Sequence, residues 1–451
     1  MMRGRIVFLV GMLLVVSCST DQEDSAMDNL ATADEFAGEV EWIRSYGGSG
    51  NDTAQSIIVT QDGGYAVMGY TNSTAGDIPD KDLAVNDYWF LKLDAQGEIQ
   101  WTRTYGGSKD DRGQSVIQTL DGGYAIVGYA MSSDGDGSKN EGFHDHWILR
   151  LDANGEILWE RSFGFAGHDH SYDVLQTSDG GFFFAGFLDV QSSEGLGDTG
   201  KGDLLTRHGV GEYWGTKLDA DGNLQWQHYF GGSNNDRAYS SALTSSGDIL
   251  MTGFSESTDS DISLTKGSYD FWVVKLDALG NFVWERSFGG TGIDVSYDIE
   301  RTLDDNFVIV GHTFSTDTDI SGNHGNSDFW MIKINADGQL IWEKTLGGSA
   351  FDAARAVKPC AEGGYMICGN SRSNDMDLEQ NAGENDIWVA KTDEEGTLLW
   401  QQSFGGAGLD FAFDLVQHTD GSFLIAGQSD SADFQGVTNK GGSDLVLIKI
   451  K

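Results

Sequence analysis

Seven aspartates, Asp52, Asp111, Asp169, Asp236, Asp294, Asp352 and Asp410, recur at near-constant spacing, each shortly after a Gly-rich stretch. Carboxylates repeated in this way have two uses. Gathered at a channel mouth, they focus negative potential and hold a cation or a polar ligand. Turned onto their own loops, they accept backbone N–H bonds as Asx-type caps. Recurrence in every unit favours the cap, because binding sites break symmetry while turns keep it. All seven are candidate binding residues, with both readings open. Three positions further on, Tyr172, Tyr239, Tyr297 and Phe413 alternate with Gln55, Gln114 and Arg355. A column that varies in this way either shapes a pocket or packs between units.

A second acidic theme lies in longer loops, where Asp259 and Asp261 recur as Asp317 and Asp319 and as Asp375 and Asp377. Calcium needs six to eight oxygens, and such loops supply several. Their spacing is not that of an Asp-x-Asp-x-Asp-Gly ligand loop, so turn capping is the simpler expectation, and no cofactor is assigned beyond an open place for calcium. His144, His146, His168 and His170 form two His-x-His pairs of a kind that ligates transition metals. No third ligand follows at a clear spacing, and no metal site is assigned. An insertion from Asp189 to Gly211 carries Lys201, Arg207 and His208 in an otherwise acidic chain, which makes Arg207 and His208 candidate ligand contacts. No Gly-x-Ser-x-Gly elbow, His-Glu-x-x-His or phosphate loop is present.

The elements that must position these groups are legible from tryptophan. Trp42, Trp101, Trp159, Trp226, Trp284, Trp342 and Trp400 are separated by 59, 58, 67, 58, 58 and 58 residues. A period of this size signals a propeller or a solenoid. Each unit holds four short β-rich runs bounded by turns such as Asp121-Gly122-Gly123 and Asp152-Ala-Asn-Gly155, without helical periodicity. Seven units of four strands predict an all-β, seven-bladed β-propeller of four-stranded blades. The repeats open with a lone Trp42 strand and close without one, so the N-terminal strand should complete the last blade and remove the open sheet edges. Six further tryptophans, Trp89, Trp147, Trp214, Trp272, Trp330 and Trp388, share one slot of the third strand. Seven plus six is all 13, which leaves none as a sugar platform on a loop. Cys360 and Cys368 are not expected to face each other across their hairpin, so two packed thiols are predicted.

The 451 residues carry 28 basic and 70 acidic groups, a formal net charge of −42 that excludes nucleic acid and anionic membrane surfaces as partners. Arg3 and Arg5 precede an apolar run from Ile6 to Val16 that is too short to span a bilayer. Val15-Val16-Ser17-Cys18 resembles the bacterial lipobox. That resemblance implies a signal peptide over 1–17, lipidation at Cys18 and an acidic tether over 18–38 ahead of a propeller over 39–451. Lys92-Leu-Asp-Ala-Gln-Gly-Glu-Ile-Gln-Trp101 looks like the tryptophan-docking motif of quinoprotein-type propellers, with one residue fewer between Asp and Gly. More closely, the run from Trp42 onward resembles repeat lipoproteins of Bacteroidota, whose units read Gly-Gly-Ser, Asp-Gly-Gly-Tyr and Asp-Phe-Trp. The resemblance implies an outer-membrane location and contact with the membrane through the lipid alone. The acidic residues behind Cys18 look like a surface-export signal, which implies a cell-surface orientation.

With strands labelled a to d outward from the channel, the a–b and c–d loops are short Gly turns. The b–c loops are long and variable, and they share one face with the d–a loops. A rigid scaffold with its variety on one face is arranged for binding there. A monomeric, non-catalytic binding or scaffold protein is therefore expected, taking a glycan or an envelope protein. The alternative is a polysaccharide-active hydrolase or lyase. A cluster of His, Tyr, Arg and a carboxylate that breaks the symmetry would favour the enzyme, and an evenly decorated mouth would favour binding.

Overall fold

The computed structural model describes residues 36–79, 81–199 and 208–451. Cys18, the expected signal peptide, most of the expected tether and Arg207 lie outside the described residues. The described strands number 28, from β1 (Val40–Tyr46) to β28 (Asp444–Ile450), and they form seven four-stranded antiparallel sheets. Blade one is β2 (Asp52–Val59), β3 (Tyr65–Thr71), β4 (Asp87–Leu93) and β5 (Ile99–Tyr105), in that order outward from the channel. The seventh sheet runs β26 (Asp410–Gln417), β27 (Phe423–Ser429), β28 and then β1, with Ile43 opposite Ile448. The ring is thus a seven-bladed propeller closed by its N-terminal strand.

Strands b and c hold the core because each is covered on both faces by neighbouring blades. Side chains from Tyr65 to Met68 and from Tyr88 to Leu91 have no exposed surface. The six strand-c tryptophans are buried; five of their ring N–H groups donate across the sheet, as Trp272 Nε1 does to Glu285 Oε2 at 2.8 Å, and Trp214 Nε1 donates to the Gly197 carbonyl of the b–c loop at 2.9 Å. Tryptophans of strand d instead dock on the c–d turn of the following blade, Trp101 against Gly155 and Trp284 against Gly338. Those turn glycines have φ of 80° and 74°, a region that favours Gly. Cys360 and Cys368 are buried free thiols, with Cys368 opposite Ala356.

Every a–b pair carries one bulge. Ser296 faces Gly311 and Asp298 faces Val310, so Tyr297 is the extra residue. The bulge pushes strand a against the facing glycine, where a Cβ on Gly311 would lie 1.9 Å from the Val295 carbonyl oxygen. Gly311→Ala is therefore expected to destabilise the protein by about 2 kcal/mol, since a rigid backbone atom must move. Urea denaturation measures the loss, and an unchanged midpoint would show that the blade yields freely at this point.

Candidate functional site

The bulge has a functional consequence, because it turns its extra residue toward the axis. Gln55, Gln114, Tyr172, Tyr239, Tyr297, Arg355 and Phe413 line a central cavity of about 470 Å³. The varying column, which the sequence left between a pocket and packing between units, is thus the channel lining. Tyr172 and Tyr239 meet edge-on at 5.1 Å, Tyr239 and Tyr297 lie at 5.3 Å, and the Arg355 guanidinium sits 3.9 Å over the Tyr297 ring.

Next along strand a, Asp173, Asp298 and Asp414 occupy blades three, five and seven. Each accepts the backbone N–H of the following blade, from Ser241 at 2.8 Å, Val357 at 2.9 Å and Ile57 at 2.8 Å. Strand a is a sheet edge, and these carboxylates cap N–H groups that have no strand beside them. Burial pushes Asp173 up to about 6, with Asp298 adding to the rise. Glu300 and Lys358 form an ion pair on the same wall. Burial raises Glu300 to about 7. The same burial acts to lower Lys358, but Glu300, Asp298 and Asp414 together hold its ammonium form well above the usual range.

The seven aspartates that begin the strand-a segments do not open onto the mouth. All have 0 % exposure, in keeping with the cap reading that their recurrence favours and not with an open carboxylate ring. Asp52 shows the pattern: its Oδ2 accepts from Gly48 N at 2.7 Å and Ser73 Oγ at 2.9 Å, and its Oδ1 accepts the Thr71 hydroxyl. Asp111, Asp236, Asp294, Asp352 and Asp410 repeat the bond to the Gly loop, and Asp169 accepts from Phe165 N instead. Burial raises all seven. The loop acids also cap backbone: Asp317 accepts from Thr291 N at 2.8 Å and Asp319 from Gly289 N at 3.1 Å. His208, expected as a surface contact, is 7 % exposed and places Nδ1 3.2 Å from Glu212 Oε2. Glu212 stands where the other blades have Asp, and its longer side chain reaches His208.

What breaks the symmetry is the mouth itself. On one side, Asn51, Thr53, Asn72, Asn86 and Gln428 line a depression of about 520 Å³ with Arg112 and Phe411. On the other, aromatic rings form a crescent. Tyr129 stacks on His170 at 3.8 Å and 9°, Phe187 lies 4.8 Å from His170, and the Arg237 guanidinium covers Phe187 at 4.3 Å. Within it, His144, His168 and His170 bring ligand nitrogens within 4.8 Å of one another. Burial and then the neighbouring His144 push His170 down to about 2, and the same two causes lower His168. The third ligand missing from the sequence spacing is supplied by the b–c loop of blade two, which lies beside strand a of blade three. Tyr129, Arg112 and Arg237 went unnoticed in the sequence. Aligning the seven repeats column by column singles them out, because their neighbours hardly vary and they do.

No family model matches the chain. A regulatory protein of Caulobacter vibrioides, FlaEY, is 29% identical over 152 residues, which is 31% of this chain and 16% of that protein. A protein of unknown function from Bacteroides caccae is similar with 12% identity and a TM-score of 0.41, over 74% of this chain and 93% of its own. Another of unknown function, from Dyadobacter fermentans, has 12% identity and a TM-score of 0.42 over 92% and 99% of the two chains. The match to FlaEY thus spans about a sixth of that protein's length, and the likeness to the solved structures reaches no further than the fold.

Proposed function

We propose that the protein is a binding propeller that takes a glycan at the mouth of its channel, displayed on the outer membrane through a lipid on Cys18. The observation that carries this reading is the off-symmetry mouth: an aromatic crescent with Arg237 on one side, and amides, hydroxyls and Arg112 on the other. Sugars offer C–H faces that stack on aromatic rings and hydroxyls that pair with amides. A polysaccharide-active enzyme is the second reading. The specific observation in its favour is the approach of His170 Nδ1 to the Tyr172 hydroxyl at 3.2 Å, with Arg237 and the histidines close by.

The test is a glycan-array and polysaccharide pull-down screen, with and without calcium, followed by product analysis of each hit. Binding without products supports the binding reading. New reducing ends or unsaturated products replace it with the enzyme, and no binding shifts the ligand to a protein. Half-buried Tyr239 is central to the lining. Tyr239→Ala should weaken any hit at least about tenfold, about 1.4 kcal/mol, through lost stacking. Isothermal titration checks it, and unchanged affinity would move the site away from the channel.

A further inference from the structure

We propose that His144, His168 and His170 form a site for a borderline divalent metal ion, zinc in the first instance, with its remaining position open toward the channel mouth. The inference goes beyond the glycan reading and does not depend on it.

The backbone holds the three residues together. His144 pairs with His168 in a parallel bridge, and Asp169 N donates to His144 O at 2.7 Å. His144 Nδ1 lies 3.1 Å from His168 Nδ1 and 3.3 Å from His170 Nε2. Two nitrogens on one tetrahedral ion, at bonds of about 2.05 Å, are about 3.3 Å apart. Both spacings therefore match edges of a tetrahedron.

Hydrogen bonding among the rings is a poorer account of the same geometry. His144 Nδ1 has one in-plane lone pair or one proton, and it is approached by two nitrogens at once. A metal ion removes the conflict by taking one lone pair from each ring.

The outer partners set the tautomers that this requires. Asp110 Oδ2 lies 3.4 Å from His144 Nε2, which favours a proton there and leaves Nδ1 free. Tyr172 Oη, 3.2 Å from His170 Nδ1, can accept a hydrogen bond from that nitrogen, and in that tautomer Nε2 is free. Metal-bound histidines are commonly oriented through their second nitrogen in this way. His168 is exposed and gives the ion a route in.

Symmetry argues against a structural role. The same three positions hold Gly211, Asn235 and Arg237 at the next junction, and Ser327, Phe351 and Ala353 further round. The ring closes there without histidine.

The test uses the full chain, stripped with a chelator and titrated with ZnCl2 in the absence of carbohydrate. One equivalent should bind, and Co²⁺ in its place should give visible bands of tetrahedral intensity. His168→Ala, at an exposed position, should weaken binding at least about 100-fold, while His324→Ala on a distant loop should leave it unchanged. Absence of uptake by the folded chain, or uptake that His168→Ala leaves unaltered, overturns the site. Zinc uptake without any glycan hit would keep this inference and remove the glycan reading.

Discussion

Asp294→Ala is expected to cost at least about 3 kcal/mol of stability, far more than an ordinary loop substitution. The Asp294 carboxylate accepts from Gly290 N at 2.7 Å, from Ser315 Oγ at 2.8 Å and from the Thr313 hydroxyl, with no exposure to water. Alanine leaves one N–H and two hydroxyls in the interior without that acceptor, each at about 1–3 kcal/mol. Loss of repulsion from the facing Asp270 offsets part of this, since Asp294 raises that residue's proton affinity. Asp294→Asn keeps an oxygen for Gly290 and Ser315, so it should lose only about 1 kcal/mol. Urea denaturation of both variants separates cap from ligand site. If Asp294→Ala cost under about 1 kcal/mol and yet abolished ligand binding, the buried aspartates would be a binding ring after all.

The second large effect is an inverted pH dependence. Asp87, Asp270, Asp328 and Asp444, at the start of strand c, are each raised to about 6. Burial is the main cause, and the facing strand-a carboxylates Asp111, Asp294, Asp352 and Asp52 add to it. In each of the four, Oδ1 is buried without a hydrogen-bond partner among the described residues. An unfolded aspartate titrates near 3.9, so between about pH 4 and 6 the folded protein binds more protons than the unfolded chain. Their contribution is fully present below pH 4 and is lost as pH rises through 6. A rise from about 4 to about 6 corresponds to about 2.7 kcal/mol per group before relaxation and water entry reduce it.

Asp62 and Asp179 act in the opposite sense. Burial works against them, but the Thr60 and Thr177 hydroxyls and Lys92 and Lys217 hold both down at about 2. Their contribution is present above pH 4 and lost as pH falls toward 2. Burial also holds His146, His170 and His312 down at about 3, about 2 and about 3, so they oppose the trend below about pH 6.5, while Asp145 and Asp173 at about 6 and Glu300 at about 7 reinforce it. The carboxylates outnumber the histidines, so Tm should be at least about 5 °C higher at pH 5.5 than at pH 8. The formal charge of −42 acts in the same direction through self-repulsion at high pH. Thermal scans across this range decide it, and a Tm that rises from pH 5.5 to 8 would show that the carboxylate pairs are relieved by water or a bound cation.

The ring was legible because its repeat is local chemistry. Trp284, the Asp-Gly-Gly turns and the β-rich runs each specify a strand or turn within a few residues of themselves, and seven copies multiply a weak signal. Even the closing strand could be read, since Trp42 begins a unit that has no other place to pair. The site was not legible in the same way. Tyr297 points into the channel only because a bulge leaves it without a partner opposite Gly311, and a bulge is a property of two strands. His144 stands 24 residues from His168 along the chain and 3.1 Å from it in space, across a junction between blades.

Composition, spacing and turn type determined by themselves the blade count, the four-strand unit and the manner of closure, because these depend on contacts between near neighbours in the chain. Only the tertiary structure decided that the seven aspartates are buried caps, that the varying column lines the channel, and that three histidines converge. Those facts depend on how one blade's edge meets the next, where the distances are set by packing between segments that the sequence leaves far apart.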